Sequence, residues 1–134
     1  MSSSVSGVSF NFAKLVVADL DKSADFYGAV FKLEELARVE DAINARPIHE
    51  VMYKPTQEGG ATFVLLAFKD APTPATGEAI IGFTVADLDQ TLALVVDKGG
   101  QISDPVREMP HLGIRVAFAV DPEGHLLEIV QMLS

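Results

Sequence analysis

Neither cysteine nor tryptophan occurs in the 134 residues. Without thiols there can be no disulfide, no thiolate nucleophile and no sulfur-ligated zinc, which fits a reducing compartment. Positive charge is scarce as well: ten Lys and Arg stand against nineteen Asp and Glu, a formal charge of -9. That excess repels phosphate backbones and anionic lipid, so nucleic acid and membrane surfaces are not expected partners. The longest apolar run, residues 63–68, is far below the length of a membrane span. Residues 1–7 lack the basic and apolar regions of a signal peptide and read as a flexible leader. A cytoplasmic protein is the expectation.

What is present is an internal repeat. Val17-Ala18-Asp19-Leu20-Asp21 returns as Val85-Ala86-Asp87-Leu88-Asp89, almost half a chain later. A repeat with an apolar run before each copy and a helical stretch after it points to two copies of one structural unit. With 49% apolar residues the chain can build a core, and 134 residues suit one domain, spanning 1–134.

The two halves punctuate alike. Residues 10–18 read as a strand that stops at Asp19, whose carboxylate can cap a helix. Leu20, Ala24, Tyr27 and Phe31 then recur at helical spacing. Residues 35–40, 47–53 and 61–68 read as strands, the last two separated by the turn signal 55–60. A connection rich in Pro, Thr and Ala occupies 69–78. Beyond it, 79–86 forms a strand, and Leu88, Leu92, Val95 and Val96 form a helical stripe ending at Gly99-Gly100. Residues 101–109, 114–120 and 126–133 supply three more strands, with Asp121-Pro122-Glu123-Gly124 as a turn. The predicted fold is α+β, two βαβββ modules at about 8–68 and 79–133.

Two motifs carry a resemblance. The strand-to-helix opening Asp19-Leu20-Asp21-Lys22-Ser23-x-x-Phe26-Tyr27, and the later Asp121-Pro122-x-Gly124-x-x-x-Glu128, in this order beside the repeat, resemble the vicinal oxygen chelate superfamily. That family includes glyoxalase I, bleomycin-resistance proteins and extradiol dioxygenases. The likeness covers residues 10–132 and implies that the strands of the two modules curl into a cupped mixed sheet enclosing a pocket. It also implies homodimers, since such pockets are often completed across a two-fold axis.

Metal-dependent relatives place one His or Glu ligand on the first and last strand of each module. Here the matching positions are Phe12, Leu65, Ile80 and Glu128, so the resemblance leaves a single oxygen donor. A catalytic divalent ion usually takes about three protein ligands. No metal or other cofactor is therefore expected. The expected function is metal-independent binding of a small organic ligand in an apolar cup formed by Phe12, Phe63, Leu65 and Ile80, with Glu128 at its base. The alternative is an enzyme: a glyoxalase-like lyase, isomerase or dioxygenase, using Glu128 as general base or an unconventional divalent-metal site.

The remaining polar candidates carry weaker signals. His49 and Glu50 are strand neighbours, so at most one can face a pocket. His111 lies in a loop-like stretch, and an unconventional metal site would need it together with His49 or Glu50 and Glu128. His125, opposite in parity to Glu128, is expected in solvent. Phe26, Tyr27 and Phe31 are expected to pack on the sheet, whereas Phe10 and Phe83 are further pocket candidates. The four arginines, Arg38, Arg46, Arg107 and Arg115, are scattered, with no cluster suited to a phosphate or a glutathione carboxylate.

Overall fold

The computed structural model describes residues 10–70 and 79–133, so the leader and most of the connection at 69–78 lie outside the described residues. Its elements run β1 (Phe12–Val16), α1 (Leu20–Phe31), β2 (Glu35–Ile43), β3 (Arg46–Tyr53), β4 (Thr62–Phe68), β5 (Ile80–Thr84), α2 (Leu88–Asp97), β6 (Gln101–Met109), β7 (Ile114–Val120) and β8 (Leu126–Met132). A short 3-10 turn, Pro110–Leu112, joins β6 to β7. The strands form two four-stranded mixed sheets, ordered β1-β4-β3-β2 and β5-β8-β7-β6. In each, the first strand pairs parallel to the last and the other pairs are antiparallel. The doubled βαβββ pattern is thus observed.

Both repeat motifs act as helix starts. Asp19 Oδ1 accepts from Lys22 N, and Asp87 Oδ1 accepts from Gln90 N, each at 3.0 Å, which satisfies one of the free amides of a first turn. Strand β2 runs three residues further than the sequence pattern suggested. It turns into β3 through Asn44 and Ala45, both at positive φ (52° and 64°), the backbone of a two-residue hairpin. The usual Asn-Gly signal is absent there, which hid the turn. At the end of α2 the chain passes so close to β7 that a Cβ on Gly100 would lie 2.6 Å from Val120 O.

Packing divides the chain differently from the repeat. Among the described residues, one compact unit draws on 10–24 and 33–70, the other on 25–32 and 79–133. The later turns of α1 therefore belong with β5 to β8. In that second unit the Phe31 and Phe83 rings stack with centroids 3.8 Å apart, and Phe26 and Tyr27 are buried. The Tyr27 hydroxyl donates to Asp121 Oδ2 at 2.8 Å, while Asp121 Oδ1 accepts from the amides of Glu123 and His125. In the first unit, Tyr53 donates to Ala24 O, tying β3 to the start of α1.

Two measurements follow. Tyr27→Phe removes a buried donor from a carboxylate and should lower unfolding stability by ~1–3 kcal/mol in a urea titration. Burial pushes the Tyr53 phenol from its ordinary 10.0 up to about 12. Since the unfolded chain then loses this proton first, the contribution is whole below pH 10 and is lost as pH rises towards 12. Tyr53→Phe should flatten the stability profile in that window.

Candidate functional site

Strand alternation gives each sheet two faces, and side chains that touch the helices tell which is which. In the first unit, Tyr53 reaches the α1 backbone, and Val51 and Leu65, directly paired, share its face. Leu65 is completely buried there. Phe63 lies on the same side, its ring 6.1 Å from that of Tyr53. Of the expected ligand-lining residues, Phe63 and Leu65 lie on the helix side of this sheet. The opposite face carries Phe12, Lys14 and Val16 on β1, Val64 and Leu66 on β4, and Ile48, Glu50 and Met52 on β3.

The register corrects the position of Leu65. In the second unit Ile80 leads its strand and Glu128 pairs with Gly82, two residues on. In the first unit Phe12 leads and Lys14, two residues on, pairs with Val64. Val64 is thus the counterpart of Glu128, and Leu65 is one residue out. Such a slip changes the face but here not the chemistry, since both residues are apolar.

On the second sheet, Gln131 accepts from Leu88 N at the start of α2, which marks the face of Leu127, Ile129 and Gln131 as the helix side. Leu127 and Ile129 are fully buried. Phe83 pairs with Ile129 and belongs to this face, where it is half-buried. Glu128 points the other way, half-buried, with Phe118 and Gly82 as its cross-strand neighbours. A Cβ on Gly82 would meet nothing nearer than the backbone oxygen of Glu128 at 3.9 Å. Ile80 is on the same face and 56% exposed, as is Phe12 at 54% on the first sheet.

His125 was expected in solvent and is buried instead. Its parity, opposite to Glu128, is as expected, but the opposite side is the helix-covered one. Its Nε2 is buried without a hydrogen bond and lies 3.9 Å from Glu123 Oε1. His49 is half-buried on the face away from Glu50, and His111 is exposed in the 3-10 turn. Arg115 is no surface charge: it reaches Gln131 and Asp89 beneath α2.

One polar feature had gone unread. Lys14 Nζ donates to Glu50 Oε1 at 2.9 Å, an ion pair on the face of the first sheet that carries Phe12. Lys14 and Glu50 lie 36 residues apart and only the pairing of β1, β4 and β3 brings them together. A separate pocket of about 300 Å³ opens in the second unit between Phe31, Thr84, Asp87, Gln90 and Leu94. Several of its polar groups are already engaged, since Asp87 caps α2 and accepts from Thr91, and Lys32 donates to Ala29 O.

The model of the Glyoxalase/Bleomycin resistance protein/Dioxygenase superfamily matches residues 9–129. The chain belongs to this superfamily. It is 27% identical over 119 residues to a probable lactoylglutathione lyase of Synechocystis, covering 88% of this chain and 91% of the relative. A glyoxalase family protein from Bacillus cereus superimposes with a TM-score of 0.80 at 20% identity, over 93% of this chain and 94% of that one. A glyoxalase I variant from Zea mays superimposes at 0.69 and 19% identity, over 90% of this chain and 45% of the maize chain. At such identities these two likenesses concern the fold.

The residues do not fit the metal that this family implies. Phe12 and Val64 in the first unit offer no donor, Ile80 in the second offers none, and Glu128 alone could ligate. Among the described residues, no group of three or more His, Asp or Glu is placed to hold an ion. Nor, among them, is any helix long and apolar enough to cross a membrane.

The ion pair makes its own prediction. Lys14→Met leaves Glu50 buried without its cation, which should cost ~1–3 kcal/mol, less than for a fully buried pair because Lys14 is one-third exposed. Lys14→Met combined with Glu50→Leu should recover most of that loss in thermal melts.

Proposed function

We propose that the protein binds a small organic ligand without a metal, on the sheet faces turned away from the helices. The observation that carries this is the chemistry at the four family positions: three hydrocarbon side chains and one carboxylate. A divalent ion held by one carboxylate has too few protein donors to stay bound while it polarises a substrate. Apolar surface with a few placed polar groups is, by contrast, the usual make-up of a small-molecule site. On the first sheet Phe12 supplies exposed apolar surface and the Lys14–Glu50 pair the polar groups; on the second, Ile80 supplies apolar surface and Glu128 the polar group.

The likeness to a probable lactoylglutathione lyase favours a second reading, in which the chain is an enzyme. Glu128, half-buried on the face turned away from α2, would then serve as general base. The two readings separate in one experiment. Protein incubated with zinc, nickel, iron or manganese and then desalted should retain well below one equivalent by elemental analysis, and chelator should leave its melting temperature unchanged. A stoichiometric tight ion would sink the proposal. So would turnover of lactoylglutathione that is abolished in Glu128→Gln.

A further inference from the structure

Charge meets the apolar face of the first sheet at the Lys14–Glu50 pair, and the two partners are not equally accessible. The Glu50 side chain is 10% exposed and that of Lys14 34%. The carboxylate is thus the buried half of the pair, and the ammonium is what a guest meets. Lys14 has three N–H donors and gives one to Glu50, which leaves two for another acceptor. Its Nζ also stands 5.8 Å from the centroid of the Phe12 ring. Val64, Met52 and Leu66 complete the surroundings on this face.

A lysine held by a buried carboxylate beside an exposed ring is suited to one class of guest. We propose that Lys14 is the recognition residue of a subsite for an organic carboxylate with an aromatic or alkyl body. The acid group sits on the free donors of Lys14, and the body lies along Phe12 and Met52. This rests on the ligand-binding function proposed above and names the ligand class. Glu50 orients the ammonium before any ligand arrives, so less side-chain freedom is lost on binding. The overall charge of -9 does not override this local choice, because at physiological ionic strength fields from surface charges decay over about 8 Å. The contact with Lys14 is short-range.

The two partners have opposite roles, and this gives a signed test. Binding of 4-phenylbutyrate, octanoate and phenylacetate is measured by calorimetry against 4-phenylbutanol, octanol and 4-phenylbutylamine. Wild-type protein should prefer each carboxylate to its matched alcohol or amine. Lys14→Met should weaken carboxylate binding about tenfold or more, the usual worth of a hydrogen bond to a charged group. Glu50→Gln should tighten it, since the amide oxygen can still accept from the ammonium and orient it but no longer competes with the guest as an anion. The charge-free double variant Lys14→Met with Glu50→Leu should fold and bind the alcohol at least as well as the acid. Equal affinity for acid and alcohol, preference for the amine, unaltered acid binding in Lys14→Met, or no binding of any carboxylate would each overturn the proposal. Tight metal in the elemental analysis would instead overturn the metal-free function on which it rests.

Discussion

A residue in a strand can serve only one face of its sheet, and the organisation of both units depends on that constraint. In each, one face is committed to helices: Val51, Tyr53 and Leu65 in the first, Phe83, Leu127 and Ile129 in the second. Burial there follows from apolar area removed from water. Whatever chemistry the protein performs is left to the alternate residues, among them Lys14, Glu50 and Val64 on one sheet and Gly82 and Glu128 on the other. A shift of one position exchanges core for site. That is why Val64, and not Leu65, is the counterpart of Glu128.

Buried charge shows the same economy. Asp121 is nearly inaccessible, yet it is met by the Tyr27 hydroxyl and two backbone amides, enough to compensate for leaving water. Glu50 is also buried, but the cation it accepts from is a lysine that remains partly in solvent. The first arrangement closes the turn that leads into β8 and so positions Glu128. The second puts a cation on an otherwise apolar face. One carboxylate is structural because its neighbours satisfy it on all sides, whereas the other holds a group that still has donors to give.

Family membership and the loss of most metal-ligating positions are compatible because strand pairing is made by the backbone and does not depend on the side chains at those positions. Phe12, Val64 and Ile80 lie on the faces turned away from the helices. A site on the other face can therefore change its chemistry while β1, β4, β5 and β8 keep their pairing.

Much of the fold was legible in the sequence. Asp19 and Asp87 announce their helices, Gly99 follows the end of α2 where positive φ is needed, and strands β6, β7 and β8 lie within a residue of their apolar runs. These are local signals, set by hydrogen bonds and side-chain sterics within a few residues. The Asn44-Ala45 hairpin escaped because Ala rarely takes a left-handed backbone. That Glu128 carries an oxygen donor while Phe12 and Ile80 carry none followed from the family resemblance of the two motifs, which is what marks those positions. What only tertiary structure decided was which face each strand turns to the helices, hence the helix-side placement of Phe63, Leu65, Phe83 and His125, and the meeting of Lys14 with Glu50. Alternation says which residues share a face but not which face is covered, and a pair 36 residues apart is joined by strand register, which no local pattern contains.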